Sequence, residues 1–181
     1  MSKTSAVAAK ALTSNHFELF GLAPAFSLDV VRLEAAYRDI QSKVHPDRFA
    51  HAGDAERRAS MQMTTRVNEA YRTLRSPVQR AKYLLELNGV DVGFETNTAM
   101  PRDFLMEQME LREKLEEARD VAALGLLQKD LFESKKDLEV RIAQFLDIQH
   151  DYSGASDFVR KLMFLERFGE DIDAAYEALD A

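Results

Sequence analysis

Cysteine is missing from this 181-residue chain, which rules out disulfides, thiolate metal sites and cysteine nucleophiles together. Such a composition fits a reducing compartment. Apolar runs are short, and none approaches the roughly 18 residues that a membrane span requires. Strand-like alternation of apolar and polar residues is essentially missing as well. Glycine and proline are sparse, at 7 and 4 residues, so the few that occur stand out as punctuation between helices. No internal repeat or low-complexity segment is visible. The stretch Met1 to Ala11 is rich in Ala and Ser with lysines at positions 3 and 10. It lacks the apolar core or arginine run of a targeting peptide and reads as a frayed leader to the first helix. The expected location is cytoplasmic.

The length suits one or two domains, each able to bury a core. Charge divides unevenly along it. Residues 1–88 carry 13 Lys and Arg against 9 Asp and Glu, a net of +4, whereas residues 89–181 carry 11 against 22, a net of −11, which together make the −7 of the whole chain. The asymmetry argues for two modules facing different partners. The positive excess of the first half is small and broken up by acids, so it does not indicate nucleic acid.

Apolar spacing is helical nearly throughout. Asn15, with Glu18 three residues on, resembles a helix start for a short segment closed by Gly21. Leu33, Tyr37, Ile40 and Val44 step along one face of a helix from about Leu28, which Pro46 ends. Asp54 is expected to cap a helix whose stripe is Met63, Val67, Ala70-Tyr71 and Leu74. The two stripes predict an antiparallel helical hairpin joined by the loop 45–53. Ser76-Pro77 reads as the cap and first-turn proline of a helix to Leu87, ended by Asn88-Gly89. Residues 89–100 form the expected linker. Helices are then predicted over about 102–119, 121–147 and 157–180, with breaks near Arg119-Asp120 and at Tyr152-Ser153-Gly154. The fold class is all-α: an N-terminal hairpin domain over 1–88 and a C-terminal three-helix bundle over 101–181.

His45-Pro46-Asp47, in the hairpin loop, is the first candidate site. A histidine–carboxylate pair invites an acid–base reading, yet no nucleophile, metal or oxyanion donor accompanies it in the sequence. His16, His51 and His150 are scattered and lack liganding neighbours at metal spacing. No catalytic residue, metal or cofactor is therefore assigned. On these residues alone, a capped surface turn, with Asp47 closing a local hydrogen bond, is the better account.

The second candidate lies in Phe104-Leu105-Met106-Glu107-Gln108-Met109-Glu110-Leu111. At about 100° per residue, Phe104, Leu111, Leu115 and Ala118 share one face and make a core stripe. Leu105, Met106 and Met109 fall on the other side with Glu110, Glu113 and Glu117. A bundle of three helices is expected to need one stripe from each, so the second stripe either packs under neighbouring chain or forms a binding face. Methionine adapts to a partner's contours, and exposed apolar patches mark contact sites. In the last helix, Phe158, Leu162, Leu165, Ile172 and Tyr176 make the core stripe. Phe164 is expected beside that stripe, extending the patch.

The flanks of the first candidate carry a resemblance. Tyr37-Arg38-Asp39-Ile40-Gln41-Ser42-Lys43-Val44 runs into His45-Pro46-Asp47-Arg48, and Val67-Asn68-Glu69-Ala70-Tyr71-Arg72-Thr73-Leu74 follows. Together they resemble a J-domain, the module that stimulates the ATPase of DnaK-type chaperones. The resemblance implies that His45, Pro46 and Asp47 contact the chaperone near its interdomain linker, with Arg38, Lys43 and Arg48 supporting electrostatic docking. Glu34 and Asp39 stand where many J-domains carry a cation. The thinner positive face points to a dedicated chaperone.

Phe17-Glu18-Leu19-Phe20-Gly21-Leu22, Arg80-Ala81-Lys82-Tyr83-Leu84-Leu85, the string from Phe104 to Glu113, and Arg160-Lys161-Leu162-Met163-Phe164-Leu165 narrow the resemblance to the HscB family. These are J-domain co-chaperones of iron–sulfur cluster assembly, and the similarity spans about residues 15–168. It implies two partners: the DnaK-type chaperone HscA and the cluster scaffold IscU, held by the C-terminal domain. The scaffold-contacting positions fall on Leu105, Met106, Met109, Glu110, Glu113, Glu117 and Phe164. Some eukaryotic relatives have an N-terminal zinc module built on cysteines, so the resemblance is to the bacterial type. It implies no resident cofactor, no nucleic acid and no membrane. A general J-protein that recruits a chaperone to unfolded clients is the alternative, and a helical interaction protein without chaperone activity is a third reading.

Overall fold

A computed structural model of the chain describes residues 14–49, 52–92 and 102–179. Helices joined by turns and short irregular segments make up the described residues, with no strand among them. The chain divides into two compact units between Leu84 and Leu85. The expected linker residues 93–100 lie outside the described residues, as do the leader residues 1–13.

In the first unit, α1 (His16–Leu19) opens on a capping box: the Glu18 amide donates to Asn15 Oδ1 at 2.9 Å and the Asn15 amide to Glu18 Oε2 at 3.0 Å. Gly21 closes the segment at φ +65°, a left-handed conformation that glycine adopts without the cost of a Cβ clash. Helix α2 (Val30–Val44) starts at Asp29, which accepts from the Arg32 amide. Helix α3 (Asp54–Arg75) returns antiparallel to it and buries Met63, Val67, Ala70 and Leu74. Asp54 does not cap α3, contrary to the expectation from sequence. Gly53 occupies the cap without a side chain to bond, and Asp54 is the first helical residue, its carboxylate paired with Arg57 one turn on. That placement still sets negative charge at the positive end of the helix.

The hairpin is locked by more than its stripes. Tyr37 and Tyr71 stack with ring centroids 4.1 Å apart, and the Tyr37 hydroxyl donates to Asn68 Oδ1 at 3.0 Å. Helix α4 (Pro77–Leu87) begins as the Ser76-Pro77 pair predicts, Ser76 Oγ accepting from the Gln79 amide at 3.3 Å. Past its end, Gly89 turns the chain at φ +74°, its amide donating to the Glu86 carbonyl at 3.1 Å. Arg80 is buried on α4, and its Nε donates to the Phe26 carbonyl at 2.7 Å while Nη1 donates to the Leu74 carbonyl. One cation thereby ties α4 to the end of α3 and to the loop before α2. A buried charge is tolerable only when hydrogen-bonded in this way.

In the second unit, α5 (Arg102–Glu117), α6 (Val121–Ala143) and α7 (Tyr152–Leu179) surround a cluster that includes Phe104, Leu127, Leu131, Phe164, Phe168 and Ile172. Asp120 caps α6 by accepting from the Ala123 amide at 2.7 Å, so the break expected near Arg119-Asp120 is present. The next break differs from expectation. Helix α6 runs into a π-helical turn, Gln144–Gln149, and the chain reverses at His150, φ 53°. Tyr152-Ser153-Gly154 is the first turn of α7 and not a break, because Asp151 caps it by accepting from the Gly154 amide at 2.8 Å. Glycine stands at 154 for closeness: a Cβ there would run into the Asp151 carboxylate and the Phe145 ring.

Candidate functional site

Two surfaces hold the residues singled out from sequence, one in each unit. The first is the turn after α2. His45 leaves the helix at φ −56°, ψ 130°, the extended geometry that a following proline imposes. Pro46–Phe49 then form a single 3-10 turn, in which the Arg48 amide donates to the His45 carbonyl at 3.1 Å. The Asp47 amide approaches His45 Nδ1 at 3.3 Å. His45 Nδ1 lies 3.5 Å from Asp47 Oδ2, with side chains 50% and 90% exposed. Water screens a pair so open, which makes it weak, and both groups face solvent and are available to a partner.

Of the three cations assigned to this region, each has a different setting. Lys43 Nζ pairs with Asp39 Oδ2 at 2.7 Å across one helical turn, both ends exposed. Asp39 therefore offsets part of the positive charge that Lys43 brings. Arg48 Nη1 donates to the Ser42 carbonyl at 2.9 Å, folding its side chain back over the end of α2. Arg38 is exposed on α2.

Sequence reasoning missed the support beneath this turn. The Val44 carbonyl, last in α2, accepts from Ser60 Oγ at 2.7 Å and from Thr64 Oγ1 at 3.1 Å. The only local sign was a pair of hydroxyl residues four apart, within a stretch otherwise read for its apolar stripe.

The second surface is on α5. Phe104 turns inward, 2% exposed, with Leu111, Leu115 and Ala118 half-buried along the same face. Leu105, Met106 and Met109 project outward at 45%, 60% and 60% exposure. Glu110, Glu113 and Glu117 are exposed as well, so three apolar side chains sit in an acidic setting. Lys161 of α7 holds the first turns of α5: its Nζ donates to Glu107 Oε2 at 3.1 Å and lies 5.1 Å from the centre of the Phe104 ring.

Phe164 does not join this patch, which corrects the expectation that it lies beside the core stripe. It is 6% exposed and belongs to the central cluster, meeting Phe104 edge-to-face at 5.6 Å with Phe168 at 6.0 Å. The reason is geometric. Helix α7 packs against both α5 and α6, so it buries two adjoining stripes where one was expected. The Arg112 guanidinium covers the Phe164 ring at 5.9 Å. Phe164 supports α5 from beneath.

Among the described residues no group of His, Asp or Glu is arranged to hold a metal ion. No described helix is long and apolar enough to cross a membrane.

Comparison with known proteins agrees with both units. Residues 15–83 match the DnaJ domain family, and residues 100–173 match the family described as the HSCB C-terminal oligomerisation domain. The chain is 49% identical over 172 residues to a co-chaperone protein HscB homolog of Aromatoleum aromaticum, covering 93% of this chain and 97% of that one. It is 51% identical over 172 residues to the HscB homolog of Burkholderia thailandensis, covering 93% and 98%. Among solved structures, Vibrio cholerae chaperone HscB superposes with a TM-score of 0.81 at 36% identity, covering 92% of this chain and 99% of that one. The human co-chaperone protein HscB superposes with a TM-score of 0.86 at 31% identity, covering 90% and 82%.

Proposed function

The chain belongs to the HscB co-chaperone family, and from that footing we propose that it couples the DnaK-type chaperone HscA to the iron–sulfur scaffold IscU. The J-domain, drawn as residues 1–88, stimulates the ATPase of HscA. The C-terminal domain, residues 101–181, holds IscU and delivers it to HscA during cluster assembly and transfer. The protein acts by contact and carries out no chemistry itself, in the cytoplasm, which the cysteine-free composition suits.

The observation that carries this reading is the His45-Pro46-Asp47 turn, presented outward at the end of α2 with its imidazole and carboxylate open to solvent. Arg38, Lys43 and Arg48 supply the electrostatic part of docking. On the second unit, Leu105, Met106 and Met109 meet the scaffold, with Glu110, Glu113 and Glu117 selecting a partner of opposite charge around the contact. A compact apolar patch on one helix suits a folded client better than the broad groove an unfolded peptide would need, which favours IscU over general clients.

The direct test is the steady-state ATPase of HscA with this protein and IscU, added separately and together. The proposal expects stimulation by each and more than the sum from both. Equal stimulation by unrelated unfolded peptides would favour a general J-protein, and no stimulation would leave only a helical interaction protein.

A further inference from the structure

We propose that Ser60 and Thr64 are positioning residues for the His45-Pro46-Asp47 turn. They hold the last carbonyl of α2 from the neighbouring helix and so set the direction in which the turn leaves the hairpin. The inference rests on the reading of that turn as the chaperone-contacting element.

The carbonyls of a helix's last turn have no amide partner within the helix. At the end of α2 this is acute, because Pro46 brings no N–H and the Arg48 amide goes to the His45 carbonyl at 3.1 Å. The Val44 oxygen is met instead from α3, by Ser60 Oγ at 2.7 Å and Thr64 Oγ1 at 3.1 Å. A carbonyl oxygen has two lone pairs, and two hydroxyls answer them. Residues four apart share a helix face, and this one is the face that buries Met63 and Val67, with Ser60 itself 5% exposed.

Hydroxyls inside helices commonly bond back to the carbonyl four residues before. Thr65 does so, its Oγ1 donating to Met61 at 3.1 Å. Ser60 and Thr64 reach across the hairpin instead, so their bonds tie two helices at the one peptide unit that precedes His45. The far side of the turn is tied to the same helix end by Arg48 Nη1 on the Ser42 carbonyl, 2.9 Å. Held at both ends by hydrogen bonds, the turn keeps its imidazole and carboxylate free while its backbone is fixed. Preorganisation of this kind lowers the ordering cost of an exposed contact.

The test uses the full-length double variant Ser60→Ala/Thr64→Val, which removes both hydroxyls with almost no change of shape and touches no residue of the turn. HscA ATPase is measured against rising co-chaperone concentration, well below the melting temperature, beside the wild type. The half-saturating co-chaperone concentration is expected to rise roughly tenfold, because the freed backbone must then be ordered on binding. Amide resonances of His45, Asp47 and Arg48 should shift. Ser60→Ala/Thr64→Ser, which keeps one hydroxyl, should recover most of the loss. A folded double variant with the wild-type half-saturating concentration overturns the inference, whatever its maximal stimulation. A wild type that fails to stimulate at all sinks the functional reading, and the inference with it. Should the double variant lose helical circular dichroism, Ser60→Ala alone carries the test under the same criteria.

Discussion

The turn after α2 and the outer face of α5 are both exposed, yet they are built on opposite principles. At the turn, a few polar groups are aimed by backbone: a proline, a 3-10 turn, and hydroxyls from the facing helix on the Val44 carbonyl. On α5 the backbone is ordinary helix, and the proposed recognition rests on apolar side chains that the bundle leaves exposed. A directional surface transmits geometry and fails when its aim is lost. An apolar patch binds through a few anchor side chains, so its loss should depend on which of them are truncated. Such a division suits the proposed roles, triggering one partner and holding another.

The sharpest break of that comparison is His45→Gln. Stimulation of HscA should disappear, while the melting temperature and IscU binding stay near wild type, since an exposed turn residue contributes within about 0.5 kcal/mol to stability. Titrating the mutant into the ATPase assay and melting it by circular dichroism reads both. Normal stimulation would remove the directional half of the contrast.

Phe164→Ala tests where patch ends and core begins. Truncating a buried phenylalanine costs about 3–5 kcal/mol, so this variant should melt early by calorimetry and lose IscU affinity only as α5 loosens. A variant that melts like wild type but binds poorly would return Phe164 to the contact surface.

Leu105→Ala, Met106→Ala and Met109→Ala together should do the reverse. Side chains at an interface centre commonly cost on the order of 1 kcal/mol or more each when truncated. IscU binding measured by calorimetry should therefore weaken a hundredfold or so, with helix content and intrinsic HscA stimulation retained. Wild-type affinity would mean that the client face lies elsewhere.

The smallest effect concerns the base of the first unit. His16 stacks on Tyr83 at 4.2 Å, and burial lowers its pKa from the ordinary value near 6.5, with nearby Arg66 lowering it further and Glu69 opposing. A histidine whose pKa is depressed on folding binds protons more readily when unfolded. Its contribution is thus fully present above pH about 6.5 and is lost as pH falls through the lower, folded value. Denaturant melts at pH 7.5 and pH 5 should differ more for wild type than for His16→Gln. Equal differences would assign the acid sensitivity to other groups.

What could be read directly from the chain was whatever depends on residues within a turn or two. The Asn15–Glu18 box, the Ser76-Pro77 start, the break near Arg119-Asp120 and the helical stripes are local matters, set by hydrogen bonds and side-chain periodicity over three or four positions. The His45-Pro46-Asp47 turn was legible for the same reason, because proline enforces its backbone. Even local signals misled where two of them competed. Gly154 reads as a breaker, but it lies inside the first turn that Asp151 caps. Asp54 reads as a cap, but glycine takes that position.

Other features were decided only when the helices came together. Phe164 is interior because α7 lies against two helices, and no periodicity within α7 records how many neighbours it has. The Val44 carbonyl is satisfied by hydroxyls sixteen and twenty residues away, a pairing that exists only in the packed hairpin. Which apolar side chains of α5 stay outside is likewise a property of the bundle: spacing divides them into faces, and packing alone determines which face is left uncovered.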